Sequence, residues 1–204
     1  MLVGEAGRRL QGFLAKVGIT SSYVIINTYL YSVYGSVKAK TSKGGALIAY
    51  RNRWLDALLV GTNVEGVVAL GQAAHKAWDA WTATPNGAAF GGGFAAMTHP
   101  TAPESSSNNK KAKLAAATKK MLKNWNAALQ TLSPAIVHRD VPTPLKLYGD
   151  TWANGDRQPI PEADIPAGLP PWMHENDGWA TRTGADALKK RGNITITVPK
   201  GIVV

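Results

Sequence analysis

Tyr23-Val24-Ile25-Ile26 and Val67-Val68-Ala69-Leu70 are apolar, largely β-branched runs in which no polar residue alternates with the apolar ones. A strand with one face in water alternates, whereas a run without alternation has to be covered on both faces, as the strands of a parallel sheet are. Parallel strands need crossovers, and segments of helical period fill the gaps here. Leu10, Phe13, Leu14 and Val17 recur at helical spacing before Gly18, which supplies a stop. Arg51–Leu59 places Trp54, Leu55, Leu58 and Leu59 on an inner face, and Gln72–Trp81 forms the helix after the second strand. A third strand leads to His99, and a long helix over about Lys111–Leu132 turns Leu114, Met121, Leu122, Trp125, Leu129 and Leu132 inward and Lys119, Lys120 and Lys123 outward. This rhythm predicts an α/β fold, a parallel sheet with helices on both faces, over a core of about residues 1–138.

Beyond that core the texture changes to proline, tryptophan and charge, as in Leu169-Pro170-Pro171-Trp172-Met173. Residues 139–204 are expected to wrap the same single domain in extended form, and the alternating Asn193–Val198 to add an antiparallel edge strand. The Lys38–Gly45 stretch reads as a long basic loop, and Gly91-Gly92-Gly93 as a hinge that lacks the lysine and spacing of a phosphate-binding P-loop.

Charge restricts the partner. The chain carries 23 Lys and Arg against 13 Asp and Glu, a net +10, while 45% of its residues are hydrophobic. A basic chain that can also bury a core points to a polyanion, nucleic acid before a membrane surface. There is no cysteine, which excludes disulfides, thiolate metal sites and a cysteine-held iron–sulfur cluster. No run of about 18 apolar residues occurs, and Glu5 with Arg8-Arg9 interrupts any signal-peptide centre, so the expectation is a soluble, cytoplasmic protein.

The chemistry-bearing residues lie at strand and loop ends. His99 follows an apolar run and precedes Pro100, which biases it away from helix, so the strand should run to the histidine and stop. Thr101 and Ser105 offer hydroxyls to a phosphate backbone and Lys110 adds charge. Asn27 ends the first strand on the side where open α/β sheets bind ligands. Gly4-Glu5-Ala6-Gly7 is a glycine loop feeding a helix whose first amides can hold an anion. His75, His138 and His174 have no metal-binding spacing, and no Gly-x-Ser-x-Gly elbow is present, which disfavours an ordinary α/β hydrolase.

Leu2-Val3-Gly4-Glu5-Ala6-Gly7, Tyr23-Val24-Ile25-Ile26-Asn27 and His99-Pro100-Thr101, in that order, resemble three motifs of the uracil-DNA glycosylase superfamily. Val67–Gly71 followed by Gln72-Ala73-Ala74 also resembles its valine-rich strand and leucine-glycine turn, so the likeness covers residues 1 to about 132. The resemblance implies a three-layer α/β/α sandwich around a central parallel four-stranded sheet. It implies a monomer that needs no cofactor, metal or iron–sulfur cluster and that acts on uracil-containing DNA, single or double stranded, in the nucleoid or on nuclear DNA.

What the resemblance implies for residues follows the motifs. His99, as a neutral imidazole, would donate to the anion developing on the departing base. Asn27 would read the N3 hydrogen and O4 of uracil, a donor–acceptor order that cytosine reverses. Leu2, where relatives carry a stacking phenylalanine, and Gly4 and Gly7 would line the base site. The family's water-positioning residue belongs to a motif ahead of the segment matching residues 2–10, and Glu5 is the candidate in its place. Thr101, Ser105, Lys110, Lys43 and Arg51 would hold the DNA backbone while Ala102-Pro103 presses on the minor groove, the small Ala102 favouring single strands. A second reading keeps DNA binding without turnover.

Overall fold

The computed structural model describes residues 4–29, 42–107 and 110–164, together with 168, 170, 172, 180–181, 185–186 and 195–201. In chain order these form α1 (Gly4–Lys16), α2 (Ser42–Leu59), β1 (Gly66–Leu70), α3 (Gln72–Thr82), α4 (Pro85–Ala88), β2 (Gly93–Met97), α5 (Ala102–Ser107) and α6 (Lys111–Leu132). A 3-10 turn at Glu162–Asp164 and two short strands, β3 (Ala180–Thr181) and β4 (Thr195–Ile196), follow.

β1 and β2 pair in parallel from Gly66 opposite Gly93 to Leu70 opposite Met97. The side-chain period of two then assigns each residue to a face. Val68, Leu70, Ala95 and Met97 pack with Phe13 of α1, with Val17 just beyond it and with Met121, Leu122, Trp125, Leu129 and Leu132 of α6. Val67 and Phe94 turn to the opposite face and meet Leu55 of α2 and Trp78 and Trp81 of α3. Phe94 lies flat on Trp78, with centroids 4.7 Å apart and planes at 5°. Helices therefore cover both faces of a two-stranded parallel sheet, and the absence of polar alternation in β1 has the cause inferred for it.

Several expectations are corrected. Among the described residues the parallel sheet has two strands, not four. Tyr23–Asn27 is neither helix nor strand and joins no ladder, and Val24 and Ile26 are 67% and 45% exposed. Gly4–Gly7 is the first turn of α1 and not a loop, with Gly4 at a φ of 62° where the helix begins. α2 starts at Ser42 and absorbs the end of the expected basic loop, while Trp54 faces out at 44% exposure. β2 stops at Met97, two residues before His99. β4 pairs antiparallel with β3 in a separate sheet, so it is no edge of the main one. Leu2 and residues 38–41 lie outside the described residues.

From Ile136 to Pro161 the chain runs without helix or strand, yet it is tightly held. Asn126 on α6 accepts from the Tyr148 amide at 2.8 Å and donates to its carbonyl at 2.9 Å. That clamp seats Tyr148 edge-on against Trp125. Nearby, Lys16 pairs with Asp156 at 2.8 Å, and a Cβ on Gly12 would come within 2.0 Å of the Asp156 carbonyl oxygen, so only glycine lets the strap lie on α1.

Candidate functional site

His99 is placed by its neighbours on three elements. The Thr98 amide donates to Asn124 Oδ1 at 2.6 Å, and Trp125 Nε1 donates to the Thr98 carbonyl at 2.9 Å, so α6 fixes the chain as it leaves β2. Gly71 closes β1 with a φ of 85°, and its amide donates to the Met97 carbonyl at 2.7 Å. A Cβ there would meet the His99 Cβ at 3.3 Å, so the backbone at the end of β1 forms one wall of the histidine's setting.

The ring is half-buried, and burial holds its pKa below the ordinary 6.5. The Thr101 amide donates to Nδ1 at 3.3 Å. A backbone N–H can only donate, so Nδ1 is the unprotonated nitrogen and the single ring proton of the neutral form sits on Nε2. The Thr101 hydroxyl, 3.0 Å from Nδ1, completes the arrangement. His99 is thus a neutral imidazole whose remaining ring function is an N–H donor.

Behind the turn lies Arg9. It is 5% exposed, and its guanidinium donates to the Pro100 carbonyl at 2.6 Å, to Glu104 at 2.7 and 3.2 Å and to Glu5 at 3.0 Å. Burial opposes the charges of Arg9 and Glu104, but their pairing outweighs it, lifting the guanidinium above its usual value and holding the carboxylate below its own. Sequence reading passed over Arg9 as one of two adjacent arginines; its i,i+4 spacing from Glu5 was the available signal.

The remaining candidates divide. Glu5 Oε1 serves both Arg9 and Arg157, the latter at 2.7 Å, so this carboxylate is built into an ion network. Thr101 is committed to His99, and Ser105 donates its hydroxyl to the Thr101 carbonyl at 3.0 Å. Pro103 is fully buried within α5 and Ala102 half-buried, which corrects the expected minor-groove wedge. Gly7 is buried inside α1 beyond reach of a base. Lys110 and Lys43 are exposed at the starts of α6 and α2.

Arg51 is the clearest displacement from expectation. At 5% exposure it cannot track a DNA backbone; it lines the molecule's own cavities. Two adjoining hollows of about 230 and about 100 Å³ share Ile26, Asn27, Arg51 and Leu55. The smaller also has Val67, Val68 and Ala69 of β1 in its wall. Asn27 itself is exposed at the rim, not buried as its expected role required. His99 lines neither hollow. Its Cβ lies against Gly71, just past the end of β1, whereas Asn27 shares its hollow with Val67, Val68 and Ala69 within that strand.

Among the described residues, no three His, Asp or Glu side chains cluster as metal ligands would, and no helix is long and apolar enough to cross a membrane. No protein-family model and no curated protein matches this chain.

Proposed function

We propose that the protein is a uracil-DNA glycosylase that hydrolyses the bond between uracil and deoxyribose and leaves an abasic site. The observation that carries the reading is His99, a neutral ring whose one proton faces away from Thr101, beyond the carboxyl ends of two parallel strands. Breaking the bond from the sugar C1′ to uracil N1 leaves the electron pair on the base, and water then adds to C1′ and gives up a proton. An N–H donor aimed at the base carbonyl stabilises that charge without a proton changing hands, and one such donor is worth roughly 10²–10³ in rate. Asn27, at the rim of the hollow beside β1, reads the pyrimidine edge, and the flipped base leaves the stack at a cost of a few kcal/mol. In this reading Tyr23–Asn27 takes the place of a third strand beside β1 in a uracil-DNA glycosylase-like sandwich. The protein acts as a monomer where the cell keeps its DNA.

The second reading, binding of uracil-containing or abasic DNA without cleavage, is favoured by Glu5, whose carboxylate is committed to two arginines. A uracil-containing oligonucleotide, single and double stranded, treated with protein and then alkali, separates the two. Scission that falls about 10²- to 10³-fold in His99→Ala supports excision. Retention of uracil-DNA over undamaged DNA without scission supports the second reading, and neither result sinks both.

A further inference from the structure

Arg157 sits on the strap, outside any helix or strand, and reaches the neighbourhood of the His99 turn with its side chain already oriented. Its backbone is pinned on both sides: Asp156 pairs with Lys16 at 2.8 Å and accepts from the Ala153 amide at 2.8 Å, and the Gln158 amide donates to the Arg8 carbonyl of α1 at 3.0 Å. Its Nε donates to Glu5 Oε1 at 2.7 Å, and its guanidinium carbon lies 5.4 Å from the centre of the Trp152 ring, within reach of a cation–π contact. The same carboxylate oxygen and the same ring hold Arg9, which donates to the Pro100 carbonyl at 2.6 Å. Arg157 is thus joined, through one carboxylate and one guanidinium, to the residue that follows His99.

The two arginines use this shared frame differently. Arg9 is buried and its three nitrogens all have acceptors. The Arg157 side chain is 40% exposed, and among the described residues its two terminal nitrogens have none. The acids at this edge are matched, Glu104 by two bonds from Arg9 and Glu5 by both arginines, while the exposed Arg8 leaves the edge positive. We infer that Arg157 is a binding residue for a DNA phosphate beside the excised nucleotide, its terminal N–H pair gripping two oxygens while Glu5 and Trp152 hold the guanidinium in place. The planar fork matches phosphate oxygens in pairs. Because Nε and the ring plane are already fixed, little ordering of the side chain opposes binding. A strand that delivers a base to His99 carries a phosphate on each side of it, and a cation next to the Pro100 turn meets one of them. The inference rests on the proposed reaction only for where the uracil lies, and it makes Glu5 the orienter of a cation.

The test is a cycle between the side chain and single phosphates. Single-stranded uracil oligonucleotides, each with one neutral methylphosphonate placed in turn along the positions flanking the uracil, are titrated by fluorescence anisotropy against the native protein and Arg157→Gln, and scission is scored on the same strands. One methylphosphonate should weaken native binding about tenfold and add almost nothing to the loss in Arg157→Gln, which itself binds the unmodified strand about tenfold more weakly. The variant's plot of log affinity against log salt should be shallower by about 0.7, the value for one phosphate of a single strand. Arg157→Lys, a charge without the fork, should restore the slope and only part of the coupling. Methylphosphonate effects that are equal in native and Arg157→Gln proteins, or a variant that binds DNA as the native protein does, overturn the inference and leave Arg157 as a structural partner of Glu5. Should Arg157→Gln not fold, the same cycle on Arg157→Lys decides. Scission without the coupling removes this grip and leaves the proposed reaction; the coupling without scission keeps the grip and favours binding without turnover; a protein that binds no DNA removes both.

Discussion

At the scale of single residues, what matters is how a side chain's last free function is left over once its neighbours are satisfied. His99 has Nδ1 occupied by Thr101, so the Nε2 proton is the remainder, and ¹⁵N spectra at pH 7.5 should show Nδ1 bare and Nε2 protonated. Burial lowers its pKa below 6.5, and the sign of the consequence is fixed. The unfolded chain takes up the proton first as pH falls, so this residue's contribution to stability is whole above pH 6.5 and is lost as pH drops through the lowered folded value. If excision needs the neutral ring, the acid limb of kcat/KM lies below pH 6.5 and disappears from the residual activity of His99→Gln; a limb at or above 6.5 would assign the titration to another group. Arg9 is the opposite case, a cation whose three nitrogens all have acceptors. Replacing it with Met strands Glu104 and frees the Pro100 carbonyl. The expected loss, read from denaturant unfolding, is about 2 kcal/mol, below the roughly 3–5 of a fully buried pair because Glu104 is 38% exposed.

At the scale of elements, legibility followed how local the deciding force was. α6 spans Lys111–Leu132 with Met121, Leu122, Trp125, Leu129 and Leu132 buried, because a 22-residue amphipathic period determines helix and face together. That β1 is covered on both sides is legible from the opposite feature, a run with no polar alternation. Tyr23–Ile26 was not: an apolar run records a need for burial, but a ladder requires a partner edge, and here Ile26 shares a hollow with β1 without pairing to it. Gly44 and Gly45 argued for a loop, and α2 runs through both, local preference yielding to the packing of Leu55 against Trp78 and Trp81. Arg51 was read as a surface cation for want of any sequence signal that its turn of α2 faces a hollow. The keystone among elements is Trp125, which meets Phe13, Tyr148 and Trp152 edge-on at 5.8 Å each and holds the Thr98 carbonyl before His99. Trp125→Ala should cost about 3–5 kcal/mol in chemical unfolding, and Trp125→Phe, which keeps packing but drops the N–H, substantially less. Equal losses would mean that the hydrogen bond carries little.

At the scale of the whole molecule, the net charge of +10 has to be located before it explains anything. Arg9 and Arg51 are buried and Lys16 is largely covered, and Arg9 and Lys16 are in ion pairs, so the three contribute little to an outward field. On α6 the face opposite the buried stripe presents Lys113, Lys120 and Lys123 exposed, while Lys119 pairs with Asp150 at 2.6 Å. From Lys113 to Lys123 is about 15 Å of helix at 1.5 Å per residue, directly downstream of the His99 turn. If DNA crosses His99, this row meets its phosphates, and each contact releases counterions. The logarithm of the affinity for duplex should therefore fall linearly with the logarithm of salt concentration, by about 0.9 for each phosphate neutralised. The double variant Lys120→Ala with Lys123→Ala should flatten that slope by nearly 2 while leaving thermal unfolding in place. Lys119→Ala, whose charge Asp150 already offsets, should change it less. A slope untouched by the double variant would return these lysines to the role of an ordinary solvated face and move the DNA path to another side of the molecule.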